Sequence, residues 1–229
     1  MKVLVLAASF MVTMAFGAMA QEDRTISVIG RGSVEMVPDM AVISLGVQHQ
    51  AEAAQEALAL TSEAVSSILE RLAAAGVEPR DIQTDTLSLQ PVWARNNTSD
   101  KPPRVVGFSA RNSLSIRVRD LSNLGGILDD VVGDGANTFN GLRFTVQDPA
   151  AALAEARASA VKDGMEKAAQ LSEAAGVELG PVLTISEQGG VVRPQMMEMA
   201  TARMASDVPV AEGEVSLSAQ VSMVFSIAQ

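Results

Sequence analysis

The sequence predicts an α+β domain in which antiparallel strand pairs pack against two long helices and one short helix, in two lobes. Three observations predict it. Apolar and polar residues alternate in several segments, giving strands with one buried and one wet face, as antiparallel sheet requires and fully covered parallel sheet does not. Two long segments carry helical spacing, and each ends at the same pentapeptide, AAGVE, at 74–78 and again at 174–178. A chain of 229 residues is long enough to build a sizeable core in one large domain or two small lobes.

The elements follow in order. The segment VIGRGSVEMVPDMAVISLGV (28–47) opens as a β-branched run broken by Gly30 and Gly32, turns at Pro38-Asp39 and resumes as a second strand. In that strand Ala41, Ile43, Leu45 and Val47 share a face opposed by Ser44, Gly46 and Gln48. Residues 52–75 read as a helix with a stripe of Leu58, Val65, Leu69 and Leu72, closed by Gly76 at the position a left-handed cap needs. The polar ARNNTSDKPPR (94–104) reads as a hairpin tip between two long strands, the second alternating Leu114, Ile116 and Val118 with Ser113, Ser115, Arg117 and Arg119. A short helix over 121–134, capped by Asp120 or Ser122, precedes a strand carrying Leu142, Phe144 and Val146. Asp148-Pro149 reads as an N-cap with proline at N1, opening an Ala-rich helix to Ala175 with a stripe of Leu153, Met165 and Leu171. Residues 189–207 have no period and read as a mobile excursion. The final strand then sends Val215, Leu217, Ala219, Val221, Met223, Phe225 and Ile227 to one face. The AAGVE echo is read as C-capping chemistry in preference to an old duplication.

The first twenty residues predict a cleaved signal peptide. Lys2 supplies the positive start, Val3 to Gly17 the apolar run and Ala18-Met19-Ala20 the cleavage pattern, leaving 21–229 as the folded domain. That run is shorter than the roughly 20 residues of a membrane span, and no transmembrane segment is expected after cleavage. Without Lys2 there remain 16 basic against 27 acidic residues, a net charge of −11. Such a balance argues against nucleic acid and anionic lipid as partners. There is no cysteine and no tyrosine, and one histidine. Thiolate chemistry is excluded, and stability must come from the core or from oligomerisation.

Each motif with chemical potential has a plainer reading. Gly30-Arg31-Gly32 would need a third glycine where Glu35 stands, and a helix where a second strand follows. It therefore reads as a strand bend or close backbone contact, not a phosphate loop. His49, with Glu52 three residues on, lacks a second ligand cluster and reads as a surface residue at a strand end. GFSAR (107–111) lacks the last glycine of a nucleophile elbow. Asp129, Asp130, Asp134 and Asn137 miss calcium-loop spacing and read as a solvated helix end. Met196, Met197, Met199 and Met204 read as an apolar loop more readily than a thioether metal site. No catalytic, cofactor-binding or metal residue is assigned and no cofactor is expected.

The stretches ISVIGRGSVEMVPDMAVISLGV, AAGVEPRDIQTDTLSLQPVW, GFSARNSLSIRVRDLSNLGGILDDVVGDGANTFNGLRFTV, ARASAVKDGMEKAAQLSEAAGVELGPVLTISE and VAEGEVSLSAQVSMVFSI occur in this order over about 25–228. In them the chain resembles the SIMPL-domain proteins, a bacterial envelope group that includes the periplasmic immunogenic proteins. The resemblance implies an α/β fold of strand pairs backed by long helices and a periplasmic or outer-membrane location. It also implies a loose link to stress tolerance and to homo-oligomers, and no accepted catalytic residues. The leading expectation is a non-enzymatic homo-oligomer, motivated by the thin catalytic menu, the long last strand as a pairing edge and the small side chains of 149–175. The alternative is a binding module for a small ligand or envelope polymer, with loops 94–104 and 189–207 as its mouth and Trp93 as a stacking contact. An enzyme would have to run on carboxylates such as Asp39, Asp81 or Asp85.

Overall fold

Strands β1 (Thr25–Met36) and β2 (Met40–Ala51) follow one another across residues 37–39 yet enter different sheets. The structure is a computed structural model describing residues 24–94, 103–188, 192–193 and 210–228. The leader, the Met-rich stretch and most of the 94–104 segment lie outside these. After β2 come α1 (Ala54–Ala74), β3 (Ile82–Trp93), β4 (Val105–Val118), α2 (Leu124–Gly133), β5 (Thr138–Thr145), α3 (Ala150–Ala175), β6 (Glu178–Gln188), β7 (Val192–Arg193) and β8 (Val215–Ala228). This is the expected order with one addition: the short β7, paired to Leu217 and Ser216, lies in the segment read as a mobile excursion.

Both sheets are antiparallel. One has the order β1-β8-β6, with β7 also on β8; the other has the order β3-β4-β2-β5. Helix α3 packs on the first and α1 on the second, so the α+β, two-lobed reading holds. The period-2 faces are where the sequence places them. Ala41, Ile43, Leu45 and Val47 on β2, and Leu114, Ile116 and Val118 on β4, form the second lobe's core with α1 and α2. Val215 to Phe225 at alternate positions are buried beneath α3. Ala94 N–H donates to the Arg104 carbonyl at 2.8 Å, and β3 pairs β4 throughout, as a hairpin requires.

All three helices end in the same way. Gly76 and Val77 donate to Ala73 and Leu72, Gly135 and Ala136 to Val132 and Val131, and Gly176 and Val177 to Glu173 and Ser172. These are 5→2 and 6→1 pairs around a glycine of positive φ (84°, 107° and 68°), so AAGVE is a capping motif. Asp120 caps through Ser122 N–H, and the Asp148 carboxylate accepts from Ala150 N–H at 3.1 Å.

Both helical stripes need correction. On α1 the buried row is Ala57, Thr61, Val65, Ile68 and Leu72, while Leu58 and Leu69 lie exposed on one flank. Thr61 enters the core because its hydroxyl donates to the Ala57 carbonyl of its own helix at 2.9 Å, which removes the cost of burying it. On α3 the buried row is Ala152, Ala156, Ala160, Gly164, Ala168 and Ser172, while Met165 is 52% exposed and Leu171 also faces out. Small residues are inside because β1 lies almost in van der Waals contact with the helix backbone. A Cβ on Gly30 would sit 2.8 Å from Gly164 N, and one on Gly32 2.6 Å from Ala160 N. The Gly-x-Gly is therefore the point where strand meets helix; β1 runs against β8 without a bulge.

Candidate functional site

The densest polar constellation lies where the lobes join. Asp81 follows Pro79 in a single 3-10 turn before β3, and its side chain is 3% exposed. Arg119, just past β4, grips it with two of its three nitrogens, Nε to Oδ2 at 2.6 Å and Nη2 to Oδ1 at 2.7 Å. The third, Nη1, donates to Gln147 Oε1 at 3.0 Å. Gln147 in turn donates its backbone N–H to Asp39 Oδ1 at 2.7 Å and its Nε2 to the Asp39 carbonyl at 3.2 Å. Two of the three carboxylates named from the sequence, Asp39 and Asp81, are thus linked in one chain. It ties the β1–β2 connector, the ends of β4 and β5 and the entry to α3. Asp85 stays apart, exposed at a bulge of β3.

The electrostatics of this chain are structural. Arg119's hydrogen bonds hold the Asp81 carboxyl below its ordinary value against the opposing effect of burial, and Arg119 is raised in return. A carboxylate locked ionised by a fork-shaped guanidinium is a poor general acid or base near neutrality. Only a group that can exchange its proton near the working pH serves such catalysis.

The other candidates are placed as follows. Arg31 N–H does meet an anion, but it is Asp163 of α3 at 2.8 Å. Lys167 bonds Asp163 at 2.6 Å and the Ile29 carbonyl at 3.1 Å, so α3 occupies the free edge of β1. Lys167 first and the Arg31 amide second depress the Asp163 pKa. His49 is no free surface residue: it shares the helix-facing side of β2 with Val47, and its buried Nδ1 has no hydrogen-bond partner among the described residues. The acidic helix end disperses. Asp134 pairs with Arg71 at 2.7 Å, and Asn137 accepts from Gln48 N–H and donates to the Gln48 carbonyl, extending the ladder beyond β5. Among the described residues no group of three or more His, Cys, Asp or Glu could hold a metal ion. The four methionines at 196–204 lie outside those residues.

A family model for SIMPL, described as a protein of unknown function (DUF541), matches residues 26–225. The chain belongs to the SIMPL family. Among curated SIMPL relatives it is 38% identical to the 26 kDa periplasmic immunogenic protein of Brucella melitensis biotype 1, covering 97% of this chain and 96% of that one. The namesake of Brucella abortus strain S19 is likewise 38% identical. The uncharacterized protein YggE of Escherichia coli K12 is 25% identical over 86% of this chain and 81% of its own. These names carry a location for the Brucella proteins and no catalytic activity for any of the three.

Two surface features of this SIMPL chain escaped the sequence reading. Leu87 and Leu89 pair with Asn112 and Ala110, which puts them on the side of β3 that faces the helices, yet Leu87 is 60% exposed. Exposed Trp93 ends that strand. The opposite flank of α1, at Arg71, faces α2 through Asp134, so Leu58 and Leu69 turn toward β3 and border the same apolar strip. In the sequence, alternation in β3 was legible; that Leu87 and Leu89 stay exposed on its helix-facing side was not. The second feature is a row of arginines on β4 and β5. Its signal was the period-2 placing of Arg111, Arg117 and Arg119 on one side of β4; that Arg143 of β5 shares that face only strand pairing reveals.

Proposed function

We propose that this SIMPL protein is a non-enzymatic component of the periplasm that works as a homo-oligomeric assembly. The observation that carries this reading is the exposure of Leu87 and Leu89 on the helix-facing side of β3 together with Leu58 and Leu69 on the flank of α1 that turns toward it, large apolar side chains of a kind that mark interaction surfaces. The reasons first read from the sequence do not survive: β8 is paired on both sides, and the small face of α3 is filled by β1 and β8. Edge strand β6 adds Val182, Leu183 and Ile185, all exposed, at the far side of the other sheet. The periplasmic names of the Brucella relatives support the location, and a leader over 1–20 agrees with it. Association with the outer membrane and a contribution to stress tolerance belong to the same reading; both rest on the family resemblance.

Light scattering after size exclusion on residues 21–229 at tens of micromolar tests it. A defined mass of several protomers is expected, lowered by Leu87→Glu together with Leu89→Glu. Monomer alone at every concentration overturns it.

A binding role for a small ligand or envelope polymer is the second reading, favoured by Trp93, which is 56% exposed beside the 94–104 segment. An indole in that position stacks readily on a flat ligand face. Its fluorescence should shift on addition of a bound ligand. A flat response across sugars, peptidoglycan fragments and aromatic acids counts against it.

A further inference from the structure

The lobe built on β3-β4-β2-β5 has two outer surfaces, and their charges are opposite. The open face of the sheet carries Arg111, Arg117 and Arg143. Val42 is the register partner of both Arg117 on β4 and Arg143 on β5, so these two guanidinium groups flank it on one face. Both are exposed, and among the described residues neither forms an ion pair. Arg111 opposes Gln48 further along β4 and donates to Asn140. The other residues of β2, β4 and β5 on that face are uncharged, and on edge strand β3 the exposed carboxylate beside it is Asp85, at the bulge between Gln83 and Thr86, which pair with Ser115 and Ser113 of that face, so three arginines stand against one carboxylate. In a chain with net charge −10 this is a local reversal of sign.

The opposite surface is the outer side of α1. Glu56, Glu63 and Glu70 recur every seven residues, which places them in one row about two turns apart, and all three are exposed. The one basic residue of the helix, Arg71, turns away to Asp134. From Glu56 to Glu70 the helix rises about 21 Å. From Arg111 to Arg117 strand β4 advances about 20 Å. Matched length and opposite sign make the two surfaces complementary.

Resting on the homo-oligomer reading, we infer that copies stack head to tail, the glutamate row of α1 in one copy lying on the arginine face of β4 and β5 in the next. Such a contact is heterologous: each copy uses one surface to give and the other to receive, so it propagates into a ring or a stack instead of stopping at a dimer. Helix on sheet is also the packing that each lobe already uses internally. Exposed charges screen strongly above about 0.1 M salt, so this contact is salt-sensitive in a way the apolar strip is not.

The test uses residues 21–229 with Arg117→Glu/Arg143→Glu, with Glu56→Lys/Glu63→Lys/Glu70→Lys, and with all five changes together. None of these side chains has an ion-pair partner among the described residues, and circular dichroism melts check that each variant folds. Mass is measured from about 20 mM to 500 mM NaCl. The contact requires wild-type mass to fall as salt rises. Each reversed set should weaken association about tenfold or more at low salt, and the five-fold variant should recover it with the polarity exchanged. If only the arginine set matters, the occupant of that face is some other anion, and the contact is overturned. An assembly indifferent to salt and to both sets overturns it while leaving the homo-oligomer reading intact; monomer throughout overturns both.

Discussion

Replacing Gly30 with alanine is expected to lower the melting temperature by about 6–12 °C, the consequence of roughly 3 kcal/mol of overpacking in a protein of this size. The added methyl would collide with the Ala160 carbonyl and lie 2.8 Å from Gly164 N, and both obstacles are helix backbone. Backbone cannot swing aside as a side chain can, so β1 must lift from α3 and loosen the core of Val28, Ala160, Val221 and Met223. Gly32→Ala should behave similarly, since its methyl would meet Ala156 and Ala160 backbone. Gly164→Ala should cost less, because the methyl would meet Met223 Sδ, at 2.7 Å, and a methionine tail can move. Gly126→Ala, an open position within α2, should instead gain about 0.5–1 kcal/mol from helix propensity. Thermal melts of the four variants check the order. A Gly30→Ala protein as stable as wild type would refute the close-contact account.

Arg119→Ala should lower the melting temperature by about 4–8 °C at neutral pH, because it strands the buried Asp81 carboxylate without its partner. The pH dependence separates this cause from lost packing. In the wild type the folded-state pKa of Asp81 lies below its unfolded value, chiefly through Arg119. Its stabilisation is therefore present above the unfolded carboxylate pKa and is lost as pH falls through the folded one. Without Arg119 burial becomes the leading influence and raises the folded pKa, so the sign reverses: protonation then favours the folded state. The deficit of the variant should shrink as pH is lowered from 7 toward 4, measured by denaturant unfolding at each pH. A deficit constant over that range would mean that Arg119 acts through packing alone.

What was legible in the sequence follows the physics of each element. Strands with one wet face announce themselves, because burial on one side of a pleat imposes a period of two. Val215 to Phe225 could be assigned to the core without coordinates. Caps were legible for the same reason: a left-handed residue after a helix calls for glycine, and Gly76 and Gly176 stand there. The helix faces were not. Large apolar residues were expected inside, yet Met165 and Leu171 face out, because the spacing between α3 and β1 admits only alanine and glycine. Size selects the buried row there, and hydrophobicity alone does not reveal it.

The same limit holds at the surface. Alternation placed arginines on a common side of β4, but which strands lie beside it, and therefore that Arg143 of β5 joins Arg117 across Val42, is a matter of long-range pairing. Asp39 and Asp81 were named separately; Arg119 and Gln147, distant in sequence, connect them. The sequence by itself determined the order of strands and helices, their caps, the core faces of the strands and the family. Tertiary structure decided which glycines bear a helix, which edge α3 closes, which apolar strip stays open and where charge of each sign collects. The division has one physical cause: local periodicity and cap chemistry act within a few residues, whereas close approach and surface complementarity depend on residues that meet only after the chain has folded.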